Sequence, residues 1–109
     1  MRADLSRFLL ALSLLFCLGL ACCHRAQPHW VTLTWKAPPT AAGVSVVGYN
    51  VYRSTTPGGP FVKLAERVPA PPYEDRLVNG GRTYIYVVTA VDQTGHESRF
   101  SGEAQAKIP

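Results

Sequence analysis

The run Thr83–Val91 carries a β-branched or aromatic side chain at eight of its nine positions. Such side chains lose rotamer freedom in a helix and pack well on a pleated surface, so the run reads as a strand, the longest in the chain. A period of two begins earlier. Val31, Leu33 and Trp35 alternate with Thr32 and Thr34, which puts the three large apolar groups on one face of a strand. Gly48–Arg53 reads as a second strand, Phe61–Ala65 as a short third, Tyr73–Val78 as a fourth and Phe100–Ile108 as a last, more polar one. Pro57-Gly58-Gly59-Pro60, Asn79-Gly80-Gly81 and Asp92–Gly95 read as turns or corners, and Pro69–Pro72 is too proline-rich for a central strand. No segment after residue 24 reads as a stable helix. Eight glycines and nine prolines punctuate the 86 residues from His24 onward. Turn signals at that density, roughly every 8–12 residues, point to an all-β sandwich.

Leucine and valine divide the chain. Eight of eleven leucines lie at or before Leu20, and all eleven valines follow residue 30. Phe8–Cys23 holds 14 apolar residues in 16, behind a positive start made by Arg2, Arg7 and the free amino terminus. Residues 1–23 therefore read as a helical signal peptide. As a helix, Phe8–Leu20 spans roughly 20 Å, short of the ~30 Å hydrocarbon core of a bilayer. All three cysteines, Cys17, Cys22 and Cys23, fall in this leader. The rest of the chain thus has neither a disulfide framework nor a C-x-x-C metal or redox site. The run Leu18-Gly19-Leu20-Ala21-Cys22-Cys23 resembles a bacterial lipobox. The resemblance implies acylation of Cys22 or Cys23 and cutting of the bond before it. For Cys22 the departure is Gly19, and for Cys23 it is Cys22 itself. Lipid chains contribute about 0.8 kcal/mol per buried methylene, and more than one chain is needed for stable anchoring to the membrane. Ordinary signal cleavage and an uncleaved signal anchor are the alternatives.

The strands carry a second resemblance. Val31-Thr-Leu-Thr-Trp35, Ala37-Pro38, Gly48-Tyr49-Asn-Val51-Tyr52-Arg53 and Thr83-Tyr84-Ile-Tyr86-Val-Val88-Thr-Ala90-Val91 resemble a fibronectin type III domain over about residues 29–109. Glu97-Ser98, Ser101 and Ile108-Pro109 are similar to the FG loop and last strand of bacterial versions. The resemblance implies an immunoglobulin-like antiparallel β-sandwich of six to seven strands. It also implies a structural core of Trp35, Tyr49, Val51, Tyr84, Tyr86 and Val88, with the Tyr84 hydroxyl bonded to upstream backbone as a tyrosine corner. The domain layout is then a leader at 1–23, a short linker at 24–28 and the domain at 29–109. Only Gln27–Trp30 lies between the cysteine pair and Val31, so the family's first strand, strand A, is expected to be short or missing. Trp30 is placed to cover the edge this leaves.

Catalytic chemistry finds little to work with. His24, His29 and His96 have no ligand spacing, and no metal or cofactor is expected. Glu74 and Asp75 are neighbours on a strand and face opposite ways, so they do not form a catalytic pair. The serines lack a Gly-x-Ser-x-Gly context, and no helix follows Gly58-Gly59 or Gly80-Gly81 to hold a phosphate. After the leader, nine basic residues face six acidic ones, a net of +3 without a cluster, so nucleic acid is not an expected partner. The reading is a monomeric, non-catalytic module held at a bacterial cell envelope. It binds a protein or glycan through its loops or an exposed edge strand, or acts as a spacer. The alternative is an accessory subunit of an exported polysaccharide-degrading or secretion assembly.

Overall fold

The computed structural model describes residues 10–16 and 28–109, and all the regular structure among them is β. Seven strands are formed: β1 (Leu10–Phe16), β2 (His29–Trp35), β3 (Val46–Ser54), β4 (Val62–Val68), β5 (Tyr73–Asp75), β6 (Thr83–Asp92) and β7 (Ala104–Lys107). They make two antiparallel sheets, one ordered β1-β2-β5 and the other β4-β3-β6-β7. Among the described residues no helix is long and apolar enough to cross a membrane.

The core lies between the sheets. β2 supplies Val31, Leu33 and Trp35, as its alternation requires, and β3 supplies Tyr49 and Val51. Tyr84, Tyr86, Val88 and Ala90 come from β6, and Ala106 and Ile108 close the layer at the C-terminal end. The Trp35 and Tyr49 rings meet edge to face, 5.3 Å apart, which suits the ring quadrupoles. The Tyr84 hydroxyl accepts the Asn79 N–H at 2.9 Å, a bond that pins the corner before β6.

One polar group is built into this core. Val31 and Asp75 are register partners, so Asp75 points inward, and it is 2% exposed. Its Oδ2 accepts from the Tyr86 hydroxyl at 2.7 Å and from Arg53 Nη1 at 2.8 Å. Its Oδ1 accepts the Leu77 N–H at 3.1 Å. Arg53 and Tyr86 are partners on the opposite sheet, so the carboxylate staples the two layers. Burial, and then the bond to Asp75, push the Tyr86 phenol far above its usual range. Arg53 also donates to the Leu77 carbonyl and stacks over the Tyr84 ring.

Several boundaries differ from the sequence reading. The fourth strand is only Tyr73–Asp75, because Arg53 and the Asp75 carboxylate take the Leu77 backbone groups that a longer ladder would use. The last strand shortens to Ala104–Lys107. Upstream of it, Ser98 and Ser101 pair with β6 through their side chains: Ala90 N–H donates to Ser98 Oγ and Val88 N–H to Ser101 Oγ, while each serine N–H donates back to the carbonyl of the same residue. The third strand runs to Val68. It is irregular where Gly48 passes Arg67: a Cβ on Gly48 would lie 2.9 Å from the Arg67 Cα. Arg67 takes a positive φ there, and its N–H donates to the buried Asn50 Oδ1 at 3.0 Å.

The largest correction concerns the leader. Leu10–Phe16, expected in a helix, is the strand β1, paired antiparallel with β2 from Leu10↔Trp35 to Phe16↔His29. The edge expected to be bare or thinly covered is therefore fully paired. The physical reason is the edge itself. An unpaired strand presents a row of N–H and C=O groups, whereas a short isolated helix is marginal in water.

Removing the ring at the centre of this core has a large cost. Trp35→Ala should destabilise the domain by about 3–5 kcal/mol. A thermal melt within a few degrees of the wild type would contradict it. Asp75→Ala strands the partly buried Arg53 and the buried Tyr86 hydroxyl, and should also cost about 3–5 kcal/mol. Chemical denaturation of the two proteins side by side checks this figure.

Candidate functional surface

The six sequence-predicted core residues all lie inside the sandwich, where they support a surface and do not form one. Cys22 and Cys23 lie outside the described residues. Of the histidines, His24 also lies outside them, and His29 opens β2 beside Gly80. The His96 side chain is 78% exposed, with Nδ1 2.8 Å from Thr94 Oγ1. Among the described residues no three His, Cys, Asp or Glu side chains come together as a metal site.

Two surfaces remain. The first is the loop end, where the segment 36–45 after β2 meets the turn after β6. Asp92 Oδ1 accepts from the Thr94 hydroxyl, the Thr94 N–H and the His96 N–H, which winds the turn. The Thr94 hydroxyl bond and these backbone donors hold the Asp92 carboxyl below its ordinary range. Gln93 then clamps the two loops. Its Oε1 accepts the Ser45 N–H at 2.8 Å, its Nε2 donates to the Gly43 carbonyl, and its own N–H donates to the Ser45 carbonyl. Such a loop end is pre-shaped.

The second surface is the outer face of the four-stranded sheet. β6 alternates, so while Tyr84, Tyr86 and Val88 face the core, Ile85, Val87, Thr89 and Val91 face away from it. All four are nevertheless at most 4% exposed. Tyr52 is the register partner of Val87 and shares this outer face. Phe100 sits against it, ring centroids 5.1 Å apart, and Phe61 packs on Phe100 at 5.3 Å. The three rings form a half-exposed aromatic group, with Phe100 at 48% exposure. Polar groups border it. The Tyr52 hydroxyl donates to Glu97 Oε1, and Thr89 Oγ1 donates to the same oxygen at 2.6 Å. Lys63 lies over the Tyr52 ring at 5.8 Å. Partial burial works to raise the Glu97 carboxyl, but the bonds from Thr89, Tyr52 and Asn50, with the charge of Lys63, outweigh it. Glu97 thus stays ionised below the ordinary carboxylate range, while burial and Glu97 raise the Tyr52 phenol.

Sequence reasoning did not single out these rings. The signal for Tyr52 was present: it alternates out of step with Tyr49 and Val51, so it must face outward. Phe61 and Phe100 gave none, because their meeting depends on how the segment after β6 folds back.

No family model matches the chain. An amylopullulanase from Thermoanaerobacter thermohydrosulfuricus is 43% identical over 76 residues, covering 70% of this chain and 5% of that protein. The chain spans about a twentieth of the length of the curated relatives it matches. Among solved structures, an Fn3-like protein from Clostridium thermocellum is 39% identical with a TM-score of 0.64, covering 73% of this chain and 77% of that one. A titin module from human cardiac muscle, 24% identical with a TM-score of 0.60 over 69% of this chain and 73% of its own, shares the fold. With its two antiparallel sheets and its tyrosine corner, and by its likeness to the clostridial protein over most of both chains, the chain belongs to the fibronectin type III family.

Proposed function

We propose that the chain is a non-catalytic, exported module that is held at a bacterial cell envelope through Cys22 or Cys23 and holds a glycan on the outer face of its four-stranded sheet. The observation that carries the glycan reading is the aromatic group of Tyr52, Phe100 and Phe61, bordered by Glu97 and Lys63. Exposed apolar patches rimmed by polar groups mark interaction sites. Sugar rings carry apolar C–H faces that stack on aromatic rings, and hydroxyls that bond to carboxylates and ammonium groups. The likeness to a stretch of amylopullulanase supports an α-glucan as the glycan class. It also supports the reading of the chain as an accessory to a polysaccharide-degrading assembly.

Nothing in the surface asks for catalysis. Glu97 has its acceptor oxygen engaged by Thr89 and Tyr52, and the neighbouring Glu66 carboxylate is tied to Lys63 at 2.9 Å. It positions rings and hydroxyls.

Retention on insoluble starch and on pullulan tests the glycan reading. The native protein should be retained, and Phe100→Ala should weaken retention about tenfold while the melting temperature stays within a few degrees. A wild-type protein that passes through both matrices unretarded would overturn it. The intact mass of native protein from the membrane fraction tests the anchor. A chain starting at Cys22 or Cys23 and carrying a diacylglycerol is the expected result; a start at His24 or an intact Met1 rejects lipidation.

A further inference from the structure

β2 has two edges, and they are unequally served. On one side β5 pairs with it over only three positions, Val31, Leu33 and the Thr32 between them. On the other, β1 pairs with all seven of its residues. Without β1, the first sheet would consist of β2 and a three-residue strand. That is a thin layer over a core in which Val31 and Leu33 are fully buried. β2 also carries three buried polar atoms without a hydrogen-bond partner: Trp35 Nε1 on its core face, and Trp30 Nε1 and Thr32 Oγ1 on the other face.

The strand that completes this layer comes from the leader. The proposed anchor requires cutting before Cys22 or Cys23, and that cut takes Leu10–Phe16 away from the domain. We infer that the β2 edge vacated by the leader is a strand-accepting site, and that in the processed protein it takes an extended, mostly apolar segment of about seven residues from a protein partner. The segment runs antiparallel to β2 and has a polar side chain opposite Thr32, where the leader has Ser13. This inference rests on the leader being removed, and is independent of glycan binding on the other sheet.

The chemistry is that of strand addition. Backbone N–H and C=O groups of the edge give affinity without regard to sequence, and alternate side chains of the incoming strand give choice. The structure supplies a worked example of the occupant, with its length, direction and register, in Leu-Ala-Leu-Ser-Leu-Leu-Phe. Leader and partner are then alternative occupants of one edge. An uncut chain is closed to the partner, and the cut opens it.

Hydrogen exchange on β2 reads this out. The processed protein is isolated from membranes, and the uncut chain is obtained as C22S/C23S. A synthetic peptide of the Leu10–Phe16 sequence, flanked by lysines for solubility, is the probe. The β2 amides should exchange at least about tenfold faster in the processed protein than in the uncut chain. Saturating peptide should restore slow exchange, and a peptide with proline in place of its central serine should not. Equal protection in both forms with no response to peptide overturns the inference, as does protection by the proline peptide. If the intact mass shows that the native protein keeps its leader, the anchor reading fails by itself. The edge is then tested in that uncut chain with Leu12→Pro, which should expose the β2 amides and let the peptide protect them. Unchanged β2 exchange in Leu12→Pro would overturn the inference there.

Discussion

β6 is buried on both faces, and the rest of the sandwich is arranged around that demand. Its tyrosines, Val88 and Ala90 belong to the core between the sheets, while Ile85, Val87 and Val91 need a second cover on the outside. A strand in a two-layer sandwich ordinarily shows one face to water. Here the segment from Glu97 to Ser101 folds along β6, and Phe100 and Tyr52 lie on its outer face. The half-exposed aromatic group is thus a by-product of structure as well as a surface. Tyr52 lies beside Val87, and Phe100 and Phe61 build outward from it toward solvent.

The polar groups of the domain are handled by substitution. Asp75 brings a charge into the core and is satisfied by a guanidinium, a phenol and a backbone amide. A buried ion pair of this kind adds little net stability over an apolar replacement, but it is intolerant of losing one member. Ser98 and Ser101 use their hydroxyls where a strand would use carbonyls. They close the upper edge of β6 without continuing β7, and that edge offers no free ladder to another chain.

Much of this was legible in the sequence. Alternation put Val31, Leu33 and Trp35 on one face, the family resemblance implied the rest of the core in Tyr49, Val51, Tyr84, Tyr86 and Val88, and Gly and Pro marked the corners. What escaped depended on distant partners. The end of β5 is set by Arg53, a strand away, and the start of β7 by two serine side chains. The aromatic group joins residues separated by up to 48 positions, and no local pattern announces such a meeting. The leader escaped for another reason. An apolar run of leucines satisfies a helix and a sheet edge alike, and the choice is made by what lies beside it.

The two ends of the domain also meet. A side chain at Gly80 would strike the Pro109 carbonyl oxygen at 3.1 Å and the His29 ring at 3.2 Å, and the Gly81 N–H donates to the carbonyls of Ile108 and Pro109. β2 leaves that end and reaches the 36–45 loop about 20 Å away, at ~3.3 Å per residue. The start of β2 and the end of the chain therefore share one pole, with the clamped loops at the other, whereas β1 begins at the loop pole, where Leu10 partners Trp35. Tension applied between His29 and Pro109 would bypass most of the domain's length, and the domain would add almost no reach between those two points. A surface tethered just before His29 would see the loop pole pointing outward and the aromatic group in profile along the side.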